Sequence, residues 1–312
     1  MMKNINKLLK NMRNNYVLAP MHGVNCLAFR QLCLEYGAGL VSTPMIHANW
    51  LAKEKKLPKD IEFGNEKNIS VQLVGENIKN MKIATKIVED YADIIDINCG
   101  CPSPDIMALK CGAYLSKYPK KIGEIVNAVV GSTSKPVTAK IRSGWNENKI
   151  NAIEVGKIIE DNGAVGVALH ARTVKQGYSG EADWELIKKL KESIKIKVFG
   201  NGDVWSGELA HKMLKETKVD YVMIGRAAMS YPFIFKECLD VKYKPTIEDR
   251  HKCILRFIEL YEKQKKQSIV ELKQHLMWLF KGLDGAKEIR VKMASVKDVK
   301  LLKKMSEEFF HL

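Results

Sequence analysis

At 312 residues the chain is long enough for about two domains of roughly 150 residues, or for one α/β barrel with an appendage. Hydrophobic residues make up 46% and charged residues 28%, an ordinary globular balance that excludes disorder, collagen-like repeats and a disulfide scaffold. Lys and Arg number 51 against 36 Asp and Glu, a formal +15; so basic a balance suits a polyanionic partner, because neutralising phosphates releases counterions, although a Lys-rich composition alone would give the same count.

The first fifteen residues, MMKNINKLLKNMRNN, carry Lys3, Lys7, Lys10 and Arg13 but no apolar stretch and no cleavage site, so they do not read as a signal peptide. With no run of about 18 apolar residues, no membrane span is expected, and the location expected is cytoplasmic. Short β-branched apolar runs then recur, each followed by helical spacing. They occupy residues 16–21 (YVLAPM), 40–46 (LVSTPMI), 69–75 (ISVQLVG), 94–100 (IIDINCG), 136–142 (PVTAKIR), 164–172 (AVGVALHAR), 197–203 (KVFGNGD) and 221–227 (YVMIGRA). Their starts lie 24 to 42 residues apart, the length of a βα unit. Near-continuous apolar runs imply strands buried on both faces, hence a parallel sheet. Eight units by residue 240, with no GxGxxG after the first, predict an α/β fold of the (β/α)8 TIM-barrel kind.

From about residue 243 the pattern changes. Pro245 and Thr246 break the chain, and helical spacing follows at Ile254, Phe257, Ile258 and Tyr261, then at Leu272, Leu276, Leu279 and Phe280. Gly282 and Gly285 supply a stop, and a last helix is expected over 295–310. The expected domains are a barrel over 1–240 and a small α-helical domain over 241–312. The latter holds 17 Lys/Arg against 10 Asp/Glu, a surplus of 7, and is about three times as basic per residue as the rest. Seven cysteines without secretory context argue for reduced thiols. Cys99 and Cys101 flank one glycine, and Cys111 lies ten residues on, which is not a zinc spacing; no metal is expected.

In such a barrel the C-terminal strand ends form the active site. They carry Pro20 and Met21, Gln72, Asn98 with Cys101, Lys140 with Arg142, His170 with Arg172, Asn201-Gly202-Asp203, and Gly225-Arg226. Polar residues ending apolar strands cost desolvation and are seldom filler. GNGD and IGRA follow the last two strands, where barrels build phosphate sites from backbone N–H groups; turn glycines alone would look alike. Lys140 and Gln72 at the mouth suit the pyrimidine edge of a flavin, a snorkelling surface Lys being the alternative. Cys101 sits in a turn pinned by Gly100 and Pro102, where a thiol can act as nucleophile or general acid. Cys26, Cys33, Cys238 and Cys253 lie on helical patterns and read as small buried hydrophobes.

Taken in order, LAPM (18–21), VQL (71–73), INCGCPSP (97–104), KCGAYL (110–115), AKIRSGW (139–145), LHARTVKQGYSGEADW (169–184), GNGD, IGRAA and KQHLMWLFKGLDGAKEIR (273–290) resemble the tRNA-dihydrouridine synthases over essentially the whole chain. The resemblance implies an FMN-dependent oxidoreductase that reduces the C5=C6 bond of a D-loop uridine in tRNA, with NADPH or NADH as reductant. It implies Cys101 as proton donor and Asn98 and Arg172 on the substrate side. Pro20, Met21, His22, Gln72, Lys140 and His170 would lie along the flavin, with Asn201, Gly202, Asp203, Gly225 and Arg226 at its phosphate end. Lys273, His275, Lys281, Lys287 and Arg290 would grip RNA, a solvated helix face being the alternative. Cys99 and Cys111 depart from the small residues common there. A rival is an FMN barrel reducing a free pyrimidine or other small molecule, which leaves the basic tail unexplained. Another is a non-enzymatic RNA-binding barrel, which does not account for Cys101, Lys140 and His170 together. No obligate protein partner is implied.

Overall fold

In a computed structural model, residues 12–311 are described; Lys3, Lys7 and Lys10 lie outside the described residues. Nine parallel strands make the sheet: β1 (Tyr16–Leu18), β2 (Val41–Ser42), β3 (Ile46–His47), β4 (Ile69–Val74), β5 (Ile94–Cys99), β6 (Val137–Arg142), β7 (Gly166–His170), β8 (Lys197–Asn201) and β9 (Tyr221–Ile224). They run in the order β1-β9-β8-β7-β6-β5-β4-β2, with β3 also on β4. A parallel bridge between Val17 and Leu40 joins the two ends, and the Leu18 N–H donates to the Leu40 carbonyl at 2.9 Å. This is the TIM barrel that the eight apolar runs predict. One run differs. Residues 40–46 form two short strands, because Pro44 has no N–H to give the ladder.

The strands are not apolar on both faces. Register sets Gln72 beside Asp96, Asp96 beside Thr138, Asn98 beside Lys140, and Arg142 beside His170, which in turn faces Asn201. With side chains alternating along a strand, these residues all point into the barrel. Their neighbours Ile95, Ile97, Ala139, Ile141, Val167 and Leu169 point outward to the helices. The barrel floor is a separate small cluster containing Val17, Ile94, Ala168, Phe199, Tyr221 and Met223, with the Phe199 and Tyr221 rings stacked at 4.6 Å. The interior is therefore apolar below and polar toward the C-terminal mouth.

The covering helices are α1 (Leu27–Glu35), α2 (Ala48–Glu54), α3 (Ile78–Val88), α4 (Pro104–Ala108), α5 (Pro119–Val130), α6 (Ala152–Asp161), α7 (Trp184–Ser193), α8 (Gly207–Thr217), α9 (Arg226–Ser230) and α10 (Ile234–Leu239). The tail begins where Thr246 and Asp249 form a capping box on α11 (Ile247–Glu262). It continues through α12 (Ile269–Leu279), α13 (Ala286–Ala294) and α14 (Val299–Glu308). The stretch after Gly285 is thus a helix of its own, and the last helix is shorter than the expected 295–310.

The tail shares the barrel's core. Phe29, Leu32 and Cys33 of α1 belong to the same buried cluster as Ile254, Phe257 and Leu276. The Cys26 side chain does not cap α1; instead Gln264 Oε1 accepts the Ala28 N–H at 2.7 Å, so a tail residue caps a barrel helix. The Glu62 carboxylate accepts the N–H groups of Lys265 and Lys266, and Arg256 pairs with Glu35 at 2.7 Å. No described helix is long and apolar enough to cross a membrane.

Candidate active site

A cavity opens at the C-terminal mouth, lined by Pro20, Met21, Lys140, His170, Asn201, Gly202, Asp203, Gly225 and Arg226, together with Ala19, Tyr178 and Trp205. The strand ends thus bring together nine of the residues selected from the sequence at the barrel mouth.

Its chemistry is cationic. Lys140 donates to Asn201 Oδ1 at 3.2 Å, and Asn201 Nδ2 donates to the Met223 carbonyl at 2.7 Å. Burial, then the neighbouring Arg142 guanidinium, lowers the Lys140 pKa to about 8. Burial and the surrounding Lys140, Arg142, Arg172 and Arg226 hold His170 far below the usual imidazole range. His170 is therefore a neutral hydrogen-bonding group, and the positive charge of the mouth comes from Lys and Arg. Arg226 lies against two exposed rings, 4.5 Å from the Tyr178 centroid and 4.9 Å from that of Trp205.

Gly202, at φ +131°, lies where a Cβ would stand 2.5 Å from the Ala182 Cβ, so only glycine fits. Beside it, Arg172 Nη2 grips Asp203 at 2.8 Å and the Gly180 carbonyl at 2.6 Å, while Nε holds Ser179. Arg172 is 2% exposed, and its Nη1 is buried without a partner. Through Nε and Nη2, Arg172 braces the loops around GNGD. Asp203 likewise holds Arg172, the Ala182 N–H and, at 3.6 Å, Arg226.

Cys101 lies in the turn after β5, close enough to Lys140 and Arg142 to act on both charges, and does not itself line that cavity. Asn98 Oδ1 accepts from the Gly100 and Cys101 N–H groups at 3.1 and 2.9 Å, and Arg142 Nε donates to the Gly100 carbonyl at 2.9 Å. Asn98 Nδ2 donates to Gln72 Oε1 at 2.8 Å and otherwise meets only the Met45 sulfur at 3.6 Å, a weak acceptor. Among the seven cysteines only Cys101 is not buried. Burial raises the pKa of Cys99 and Cys111, the latter also donating to Glu76 at 3.0 Å.

Two residues expected along the flavin do not line this cavity. Gln72 is 1% exposed and lies beneath the mouth, bonded to Asp96 and Asn98. His22 is exposed and lines a neighbouring cavity with Met45, His47 and Trp50. In the tail, the RNA-contact expectation for His275 is overturned. The ring is 1% exposed, stacks on Phe257, and its Nε2 meets the Val24 carbonyl at 2.8 Å. Lys273 is half-buried and donates to the Ala294 carbonyl that ends α13; Arg290 is half-buried, while Lys281 and Lys287 are exposed. Sequence reasoning missed Asp96, Tyr178 and Trp205. Asp96 had a signal: an acid two residues before Asn98 shares its strand face.

The sequence model of the family described as dihydrouridine synthase (Dus) matches residues 17–311. The chain belongs to the dihydrouridine synthase family. It is 41% identical over 230 residues to tRNA-dihydrouridine synthase B of Vibrio parahaemolyticus, covering 72% of this chain and 71% of the relative. It is 34% identical over 299 residues to tRNA-dihydrouridine synthase B of Pseudomonas putida, covering 92% and 88%. Among solved structures, an old yellow enzyme homologue from Zymomonas mobilis superposes with a TM-score of 0.51 at 10% identity, covering 76% of this chain and 92% of that one. Histamine dehydrogenase from Rhizobium sp. 4-9 gives 0.54 at 15% identity, covering 80% and 49%. These two likenesses concern the barrel fold alone.

Proposed function

We propose that this dihydrouridine synthase reduces the C5=C6 bond of a D-loop uridine in tRNA to 5,6-dihydrouridine, with FMN bound in the mouth and NADPH or NADH as reductant. The observation that carries the reading is the single accessible thiol, Cys101, fixed in the turn after β5 near the Lys140 and Arg142 charges. The residues fit FMN. The orphaned Arg172 Nη1 beside Gly202 and the Arg226 guanidinium suit a phosphate. A Cβ on Gly225 would stand 3.7 Å from both Ala19 and Met21, walls of the same pocket, so the bare glycine leaves room for a ligand there. Pro20, Met21, Lys140, His170, Asn201 and Gly202 would hold the flavin, with Asp203 holding Arg172 and Arg226 in place. The chemistry a bound flavin supplies is hydride delivery to C6 of the uracil ring.

This chain's own residues do the rest. The Cys101 thiol gives its proton to C5, where the electron pair of the former double bond collects. The second Asn98 amide hydrogen, held only by a thioether, is free for a pyrimidine carbonyl. Lys140 offsets negative charge at the pocket floor, and neutral His170 adds a hydrogen bond. A uridine folded within tRNA must leave its stack to reach this mouth. Exposed Lys281 and Lys287 on the basic 241–312 region suit RNA phosphates, and a tRNA substrate goes with a cytoplasmic location. The barrel over 1–240 and the helical region over 241–312 act here as catalytic and RNA-gripping parts. The test is single-turnover oxidation of the reduced flavoprotein by unmodified tRNA and by free uridine. Oxidation by tRNA with dihydrouridine formed supports the reading. Oxidation by free uridine at an equal rate favours a small-molecule reductase.

A further inference from the structure

Beneath the turn that carries Cys101, four buried side chains form a line of hydrogen bonds across β4, β5 and β6. Thr138 Oγ1 donates to Asp96 Oδ1 at 2.6 Å, and Gln72 Nε2 donates to Asp96 Oδ2 at 2.6 Å. Asn98 Nδ2 donates to Gln72 Oε1 at 2.8 Å, and Asn98 Oδ1 accepts from the backbone N–H groups of Gly100 and Cys101. The line has a direction. Backbone N–H groups only donate, so Asn98 must present its oxygen to the turn. Its Nδ2 then needs an acceptor, so Gln72 must present Oε1; the Gln72 Nε2 in turn needs an acceptor, which Asp96 provides. Turning either amide over sets donor against donor in a buried site, at a cost water cannot relieve.

We propose that Asp96 is a positioning residue: its carboxyl group ends a one-way chain through Gln72 and Asn98 that holds the 98–101 turn and aims the Cys101 thiol. This deepens the proposed function, because the thiol it aims is the proton donor of that reading. Asp96 is 5% exposed and lies below the pocket, so it acts through its neighbours. What the chain requires of position 96 is an acceptor toward Gln72, with or without charge. A counter-charge for Lys140, the competing role, requires the charge itself.

Substitutions that keep or remove the acceptor separate the two. In Asp96→Asn, the new amide nitrogen can donate to the Thr138 hydroxyl, which leaves the amide oxygen facing Gln72 and the chain intact without the charge. In Thr138→Val, Asp96 still accepts from Gln72. Asp96→Leu removes the acceptor outright. The readout is the rate at which a haloacetamide alkylates Cys101 in the tRNA-free protein, the other six thiols being buried. It needs no substrate, so it stands or falls separately from the functional reading; kcat and KM with tRNA are measured alongside. Asp96→Asn and Thr138→Val should each stay within about threefold of wild type, while Asp96→Leu should change the alkylation rate by about tenfold or more, with kcat falling and flavin content retained. Asp96→Ala removes the same acceptor and serves if Asp96→Leu does not fold. Asp96→Asn as damaging as Asp96→Leu, or wild-type alkylation once the acceptor is gone, would each overturn the proposal.

Discussion

The barrel mouth and the helical tail are both polar surfaces, yet their residues are fixed in different ways. At the mouth, eight strand ends converge on one axis, so a polar residue at an inward position has one place to go. Lys140, His170, Asn201 and Arg226 come from four separate segments and line one cavity. In the tail, each residue turns about 100° from the last, and its exposure depends on what the helix packs against. His275 on α12 is buried against Phe257, while Lys287 on α13 faces solvent. Position on a converging strand predicts where a side chain goes; positive charge on a helix does not.

The sharpest break in this comparison comes from Cys101. Cys101→Ala should slow single-turnover oxidation of the reduced flavoprotein by tRNA by about 10²–10⁴, the usual worth of a placed general acid, with flavin still bound. Cys99→Ala and Cys111→Ala remove thiols that burial keeps protonated and inaccessible, and should keep most of the rate. Equal collapse in the Cys99→Ala protein would remove the distinction. Next in size is His275→Ala. It deletes a ring stacked on Phe257 and bonded to Val24, so it should lower unfolding stability by about 2–4 kcal/mol in denaturant titrations while leaving the salt slope of tRNA binding unchanged.

A smaller effect concerns Lys140. Its pKa of about 8 lies below the free value of 10.5. Between those values the native state has released a proton that the unfolded chain still holds, so this group makes stability rise with pH in that window. The cationic contribution to flavin binding should instead fade as pH passes about 8. Flavin titrations should show that limb in wild type and not in Lys140→Met; the same limb in both would assign it to another group. The smallest expected effect is Lys287→Ala. On an exposed face it should change stability by less than about 0.5 kcal/mol and lower the salt slope of tRNA binding by about one. Reversed results for Lys287 and His275 would invert the reading of the tail.

Much of the barrel is legible because β-branched runs recur at βα spacing and glycine and proline mark the strand ends. The second run misleads because LVSTPMI reads as one continuous strand while Pro44 divides its ladder. IIDINC reads as uniformly buried, and it is, but burial does not mean apolar: Asp96 and Asn98 are held inside by partners from β4 and β6, far off in sequence. Such pairings have no local signature. Tyr178 and Trp205 sit in loops, and only the fold brings them against Arg226. Arg172 is legible as a mouth residue, but not as one already committed to Asp203.

The Gln264 cap on α1 also bears on the order in which the chain can fold. During synthesis the first barrel helix emerges early, but the acceptor for its Ala28 N–H is made more than two hundred residues later. β1 waits similarly, since its sheet neighbour β9 ends at Ile224. At roughly 5–20 residues per second, the N-terminal segment spends on the order of ten to fifty seconds on the ribosome with its apolar face unmatched. Shielding it through that interval falls to chaperones or to provisional contacts, and a chain halted before β9 would present a barrel that is neither closed nor capped, one halted between β9 and residue 264 a barrel without its cap.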